Sequence, residues 1–366
     1  MKFICPKNNI LKEIILALDF TSQRNSLSIV SNVFLETSEN RLVIKATDQK
    51  IGFTTSIEVE TVESGTTTVF CDKFLGILRA LPDEDIIFEE IGEKLFIHPQ
   101  NKSIDFSLRT IKADKFPTLE EPVNKFFTVA QKDLFEMIDQ TIFAISDDET
   151  RYFMNGVYME QGERALTMVA TDGRRLSMIS RNLDKDIPEF NPIIIPAKFL
   201  SLIEKGGNRE GEVSLAVTDT LLFASFGSVL MYTTLVKGQF PNYKRVIPAM
   251  QSRTCSVDIK KMNEALKRVS LLVENKAKRI YLDIESDFIT ISSEESDFGQ
   301  AKEIIPCSYT GESVRLAMNY SYLVSPLKVM DGDTCDIRFT ESNKAITVVS
   351  NPEKDYLHVI MPMQLD

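Results

Sequence analysis

The sequence predicts an α+β fold made of three tandem copies of one domain, each with two helices packed on antiparallel sheet. Three observations carry that reading. An aromatic-Leu pair follows a short apolar run and opens a helix at Phe74-Leu75, Phe199-Leu200 and Tyr322-Leu323, offsets of 125 and 123 residues in a chain of 366. Smaller marks return at the same spacing: Thr47-Asp48 recurs as Thr171-Asp172 and more weakly as Ser296-Asp297, and Phe116-Pro117 recurs as Phe240-Pro241. The order of helical and strand signals is also similar in each third. A period this long exceeds the roughly 20–50 residues of a solenoid repeat, so each copy is expected to be a domain with its own core.

Each copy opens with a helix whose apolar residues follow i, i+3, i+4 spacing. The residues are Leu11, Ile14, Ile15 and Leu18, then Leu134, Met137, Ile138 and Phe143, then Met262, Leu266 and Val269. Period-two alternation over 41–46, over 157–159 with 165–170, and over 279–291 reads as half-buried strand. The helix with the aromatic-Leu pair is entered from strands at 66–70, 191–195 and 313–317. A hairpin-like pair follows it: 85–89 with 94–98, 212–217 with 221–226, and 335–340 with 345–350. Proline-bearing stretches at 114–124 and 242–253 read as joints and place the domains at 1–124, 125–250 and 251–366.

Composition excludes more than it selects. With 43% hydrophobic and 26% charged residues the chain is an ordinary globular protein. No apolar run approaches the roughly 18 residues that cross a bilayer. The opening Met1-Lys2-Phe3-Ile4-Cys5-Pro6-Lys7 lacks the apolar core of a secretory signal, so a cytoplasmic protein with no membrane partner is expected. Five cysteines, Cys5, Cys71, Cys255, Cys307 and Cys335, form no Cys-x-x-Cys pair and read as structural thiols.

Catalytic material is scarce. Two histidines, His98 and His358, each stand alone in a strand pattern, which leaves little for imidazole metal sites or nucleophile systems. The stretch Gly206-Gly207-Asn208-Arg209-Glu210-Gly211 lacks the lysine of a phosphate-cradling loop, and Asp147-Asp148-Glu149 reads as a solvated acidic loop. No catalytic residue, metal or cofactor is expected, and the sequence argues against an enzyme.

The specific stretch is Val169-Ala170-Thr171-Asp172-Gly173-Arg174-Arg175-Leu176-Ser177, preceded by Arg151-Tyr152-Phe153-Met154-Asn155-Gly156. Further on come Phe240-Pro241-Asn242-Tyr243-Lys244-Arg245-Val246-Ile247-Pro248, Asn319-Tyr320-Ser321-Tyr322-Leu323 and Met361-Pro362-Met363-Gln364-Leu365. In order, and over the whole chain, these resemble the bacterial replicative sliding clamps, the DNA polymerase III beta subunit family. The resemblance implies DNA-clamp domains in a head-to-tail homodimer. Each subunit is then half of a closed ring of six domains around duplex DNA, with helices lining the hole and sheets outside.

The charge suits such a part. A formal charge of -11 repels phosphates spaced at about one charge per 1.7 Å of duplex, so the chain is wrong for a protein that grips DNA by counterion release. A ring is held by topology instead. With a screening length of about 8 Å, only cations facing the hole act on DNA inside it. The candidates are Lys260, Lys261, Lys267, Arg268, Lys276 and Lys278 in the third copy, with Lys73, Arg79, Lys132 and Lys198 on repeat helices. Arg24 sits where the family places a DNA-contacting arginine. Tyr152 and Phe153 match a family loop that touches template DNA, or else belong to the core.

The resemblance also implies a cleft between the second and third domains that takes leucine- and phenylalanine-anchored peptides. The partners are the polymerase catalytic subunit, the clamp loader and repair proteins. The matching positions are Met154, Thr171, Gly173, Arg174, Arg175, Leu176, Pro241, Arg245, Val246, Asn319, Tyr322, Val359, Met361, Pro362, Met363, Gln364 and Leu365. Methionine-rich walls suit varied peptides because the thioether repacks at low cost. Gly173 is expected to take a positive φ in a tight turn, displaying Arg174 and Arg175 at its edge. Read alone, Met361-Pro362-Met363 would be a buried terminal strand.

Departures from the family pattern are Arg174 for His, Met154 for Leu, Ala277 near an aromatic position, Gln364 for Arg, and Asp366 beyond the usual terminal Leu. The subunit joint is expected to pair 70–81 and 97–108 with 267–272 and 295–301. Two other classes stay open: a peptide-binding scaffold that never encircles DNA, and a Mg2+-dependent DNA or nucleotide enzyme.

Overall fold

The computed structural model describes residues 1–366 except 23–27, 124, 184, 275 and 366, so Arg24 and Asp366 lie outside the described residues. The first repeat runs β1 (Lys2–Pro6), α1 (Lys7–Leu18), β2 (Asn32–Ser38), β3 (Arg41–Thr47), β4 (Ile51–Glu58), β5 (Glu60–Glu63), β6 (Gly65–Phe70), α2 (Cys71–Ala80), β7 (Asp85–Ile91), β8 (Lys94–Pro99) and β9 (Phe106–Ile111). The second runs β10 (Phe127–Ala130), α3 (Gln131–Asp139), β11 (Gly156–Gln161), β12 (Ala165–Thr171), β13 (Arg175–Asn182), β14 (Ile193–Pro196), α4 (Ala197–Gly206), β15 (Glu212–Val217), β16 (Leu221–Phe226) and β17 (Val229–Thr234). The third runs β18 (Arg253–Asp258), α5 (Ile259–Val269), β19 (Arg279–Ile284), β20 (Phe288–Ser293), β21 (Lys302–Tyr309), β22 (Val314–Asn319), α6 (Tyr320–Leu327), β23 (Thr334–Phe339), β24 (Ile346–Asn351) and β25 (Tyr356–Ile360).

The repeat is visible in hydrogen bonds as well as in order. At the β3–β4 turn Thr47 Oγ1 donates to the Ile51 carbonyl (2.7 Å), while Asp48 Oδ1 accepts from Lys50 N and Ile51 N (2.9 and 3.0 Å). The β12–β13 turn has the same pattern: Thr171 Oγ1 donates to the Arg175 carbonyl (2.6 Å), and Asp172 Oδ1 accepts from Arg174 N and Arg175 N (2.8 and 3.0 Å). The short Thr and Asp side chains replace main-chain partners that a four-residue turn leaves unmade. Ser296 keeps part of the device, accepting from Phe298 N (3.3 Å).

Packing gathers the three repeats into two compact units, one of 1–132 with 198–235 and one of 133–197 with 236–366. The middle repeat is thus divided. Its β10 and β15–β17 join the first unit in a 13-stranded sheet, order β10-β15-β16-β17-β4-β3-β2-β6-β9-β8-β7-β1-β5. Its β11–β14 join the second in a 12-stranded sheet, order β14-β11-β12-β13-β25-β24-β23-β18-β21-β20-β19-β22. The joints are antiparallel pairings, β17 with β4 and β13 with β25. Each satisfies an edge that would otherwise present unpaired amides. At the first joint Gly52 faces Tyr232, and a Cβ there would lie 2.1 Å from the Tyr232 ring, so only glycine admits it.

The largely aliphatic core of the first unit holds an aromatic group, with Phe3 stacked on Phe88 at 4.6 Å and Phe74 edge-on to Phe88 at 5.9 Å. In α1 the buried stripe is Ile10, Ile14 and Ala17 with Glu13 and Leu16. Leu11, Ile15 and Leu18 are only half-buried, which shifts the predicted face by one position. Phe143 is not on α3, because the helix ends at Asp139 and Phe143 lies in a 3-10 turn, Ile142–Ala144. The segment 279–291 is a hairpin, β19 with β20, and not one strand. In α5, Ile259, Met262, Ala265, Leu266 and Val269 are buried, and Asp258 caps the helix by accepting from Lys261 N.

Cys5, Cys71, Cys255 and Cys335 are buried and Cys307 half-buried, all as free thiols. Burial pushes Cys5, Cys71 and Cys335 up to about 12, far from a reactive thiolate. No helix among the described residues is long and apolar enough to cross a membrane.

Candidate functional site

All the predicted cleft residues fall in the second unit. The centre is the turn between β12 and β13. Gly173 takes φ +86°, as the turn reading requires, and Thr171 is buried beneath it. The chain end is fastened to this turn: Met361 N donates to the Arg174 carbonyl (2.9 Å), and Met363 N donates to the Ala317 carbonyl of edge strand β22 (2.7 Å). The segment 361–365 therefore crosses from the turn to the strand that leads into α6. It is not the buried strand that its composition suggests: β25 stops at Ile360, Pro362 breaks the run, and Met361 stays 47% exposed. Gln364 and Leu365 are exposed at the end.

Arg174 is exposed, but Arg175 is not displayed, and its side chain is only 14% exposed. Its Nε pairs with Asp172 (3.0 Å), Nη1 donates to Ser325 Oγ (3.2 Å), and Nη2 donates to the Phe143 carbonyl. The guanidinium lies 4.7 Å from the Tyr322 ring centre and 5.7 Å from that of Phe143. Arg175 is thus a strut that fixes the turn to α6. Asn319 caps α6, its Oδ1 accepting from Ser321 N (3.0 Å), and Tyr322 is half-buried, its hydroxyl pushed up by burial.

Below the turn Leu176 pairs with Val359 across β13 and β25. Both belong to a buried cluster with Val169, Ile194, Phe240 and Tyr243. That cluster carries the linker on which Pro241, Arg245 and Val246 stand exposed. Met154 is buried at the end of the segment Glu149–Met154, where its carbonyl accepts from Ser146 N.

Sequence reasoning passed over three groups here. Arg151 pairs with Asp148 (2.9 Å) and reaches the Asp172 carbonyl (3.1 Å), bracing the turn. Its place in Arg-Tyr-x-x-Asn-Gly was the available signal. Asp148 also accepts from Thr150 N and Thr150 Oγ1, so it is a cap in the acidic loop. His358 is fully buried on β25, its Nδ1 3.0 Å from Ser177 Oγ, and burial pushes its pKa down to about 3.

The candidate DNA-facing groups have separate surroundings. Lys260, Lys261 and Lys267 are exposed on the outer face of α5, opposite its buried stripe. Arg268 is bound by both oxygens of Glu303 (2.9 and 2.7 Å) and approached by Glu264, so its charge is largely answered within the protein. Lys276 and Lys278 are exposed after α5. Tyr152 is 52% exposed, while Phe153 packs against the Phe240 cluster, which divides the pair between surface and core. In the first unit Lys73 lies 3.8 Å from Asp72, Lys198 lies 3.7 Å from Asp48, and Arg79 and Lys132 are exposed.

This chain matches known proteins over its whole length. Family models for the N-terminal, central and C-terminal domains of the DNA polymerase III beta subunit match residues 1–120, 128–242 and 244–364. The Beta sliding clamp of Treponema pallidum is 42% identical over 373 residues, covering 100% of both chains. The sliding clamp of Pseudomonas aeruginosa bound to griselimycin is 29% identical with a TM-score of 0.94, and that of Bacillus subtilis is 23% identical with a TM-score of 0.95, a likeness of fold alone. Each of the two structures covers 100% of this chain and is itself fully covered. Three tandem domains of this kind define the class as a sliding clamp, a processivity factor and not a catalyst. The chain belongs to the DNA polymerase III beta subunit family, the beta sliding clamps.

Proposed function

We propose that the chain is the ring-forming processivity subunit of a bacterial replicase, closing as a head-to-tail homodimer around duplex DNA in the cytoplasm, at the nucleoid. Its domains are taken as 1–124, 125–250 and 251–366. The cleft around the 171–176 turn, 241–246, Asn319, Tyr322 and 359–365 receives short apolar peptides of the polymerase catalytic subunit, the clamp loader and repair proteins. The observation that carries this reading is the fastening of Met361 to the turn and Met363 to β22, which leaves Met361 exposed and Met363 half-buried beside the 171–176 turn. On a protein of charge -11, the exposed lysines of α5 supply a local cationic face for DNA held by topology.

Two experiments test it. The purified protein is loaded onto nicked circular plasmid with a clamp loader, and the plasmid is then linearised. Loss of bound protein only after linearisation supports the ring, and equal loss from both forms favours a scaffold that does not encircle DNA. Met363→Ala, or removal of 361–366, is expected to weaken binding of a leucine- and phenylalanine-anchored peptide while leaving the dimer intact. Unchanged peptide affinity in a titration would refute the placement of the cleft. Griselimycin, to which the Pseudomonas aeruginosa relative is bound, is a second probe, and its competition with the peptide on this chain would test whether the two share a surface.

A further inference from the structure

Glu160 lies on β11, outside the proposed cleft, and its carboxylate collects three donors. Oε2 accepts from Tyr158 Oη (3.0 Å), while Oε1 accepts from Tyr243 Oη (2.7 Å) and from Lys244 Nζ (3.0 Å). The side chain is 21% exposed, and burial alone would raise its pKa; the donors from Tyr243, Lys244 and Tyr158 outweigh that and hold it below the usual carboxylate range. Tyr243 and Lys244 belong to a single 3-10 turn, Tyr243–Arg245, in the linker between the second and third repeats. The same β11 face grips the residues before that turn, because the Tyr158 ring stacks on Phe240 at 4.7 Å and 18°. Phe240 and Tyr243 thus flank Pro241 and are both buried, while Pro241, Arg245 and Val246 remain exposed.

We infer that Glu160 is a positioning residue for peptide binding. It anchors the linker turn to β11 and so sets where Pro241, Arg245 and Val246 stand relative to Leu176 and Val359. The geometry fits this role better than a general stabilising one. A short 3-10 turn has little hydrogen bonding of its own, and in this one Tyr243 and Lys244 are tied to Glu160 while the next two residues project outward. A charged acceptor shared by three donors is stronger and more directional than neutral bonds. Without it, Tyr243 keeps its apolar burial but loses the bond that fixes its rotation, and the exposed residues on either side lose their register.

This inference rests on the cleft reading above, and the experiment separates the two. Glu160→Ala, Glu160→Gln and Tyr243→Phe are compared with the wild type for binding of a fluorescent leucine- and phenylalanine-anchored peptide. Thermal unfolding, dimer sedimentation and amide exchange over 240–247 are measured on the same samples. The expected result is about a tenfold loss of peptide affinity in Glu160→Ala and a smaller loss in Glu160→Gln, which keeps an acceptor oxygen. Tyr243→Phe, which removes only one of the three bonds to Glu160, is expected to lose less than Glu160→Ala, and to add little when combined with it in a double variant, because Glu160→Ala already removes that bond. Faster exchange confined to 240–247, with unfolding and dimer unchanged, supports positioning. Wild-type peptide affinity in all three variants would overturn the inference while leaving the cleft in place. Affinity lost only together with the dimer or with global unfolding would show a structural role and also overturn it. A wild-type protein that binds no peptide would remove the cleft and this inference together.

Discussion

Lowering the pH from about 7 to about 5 is expected to destabilise the protein through His358. The imidazole is 1% exposed between Phe143 and Tyr356, each 5.6 Å away by ring centres, and Nε2 has no hydrogen-bond partner among the described residues. Protonation would bury an unanswered charge, so desolvation holds the folded pKa down to about 3, against an ordinary value of 6.5. The unfolded chain therefore binds a proton below about 6.5 that the folded chain refuses until about 3. Stability from this group is full above the unfolded pKa and falls as the pH drops through it. At ~1.4 kcal/mol per pH unit for one proton, the loss between about pH 7 and about pH 5 is about 2 kcal/mol, a sizeable part of the ~5–15 kcal/mol that holds a domain folded. Glu13 works in the opposite sense, since burial raises its pKa, but it is common to both proteins in the comparison. Urea unfolding of wild type and His358→Gln over this range reads the difference in slope directly. The variant is expected to be weaker near pH 7 and to lose less on acidification. Parallel pH profiles for the two proteins would refute the burial argument.

Gly173→Ala places a Cβ on a residue at φ +86° and 3.0 Å from Arg151 Nη1, and should cost about 1–2 kcal/mol in denaturation with a matching fall in peptide affinity. Equal stability would show that the turn relaxes. Replacing Lys260, Lys261 and Lys267 together by Ala leaves the buried stripe of α5 untouched, so the unfolding midpoint should hold. The slope of log affinity for short duplex DNA against log salt should fall by about 0.9 for each phosphate no longer neutralised, or roughly 3 in all. An unchanged slope would take α5 away from the DNA.

The elements with strong local signals were legible in the sequence. The aromatic-Leu helices fall at α2, α4 and α6, and the repeated Thr-Asp pair marks the same turn twice because its side chains bond within four residues. What the sequence hid was set by distant partners. The buried stripe of α1 includes Ala17 and Glu13, a small residue and a charged one that an apolar template does not score. Leu11 and Ile15 instead line a groove of about 850 Å³ in the first unit, beside 206–212. Arg175 looked displayed because nothing local reveals that Phe143 and Ser325 wait for its guanidinium. Glu160 was invisible for the same reason, since its partners Tyr243 and Lys244 lie more than eighty positions along. Equal spacing of the repeats also gave no hint that the strands of the middle one would be shared between two sheets.

That sharing has an evolutionary consequence. Where β17 meets β4 and β13 meets β25, the repeats are sewn together by amides and carbonyls that nearly every residue type carries. A seam of main-chain atoms asks little of the side chains above it, apart from fitted spots such as Gly52 against Tyr232. Substitutions can accumulate over both faces without moving the join. The Pseudomonas aeruginosa clamp, 29% identical to this chain, still superposes on it with a TM-score of 0.94. The seam holds its geometry through main-chain atoms, and the side chains that stand on its faces are left free to vary.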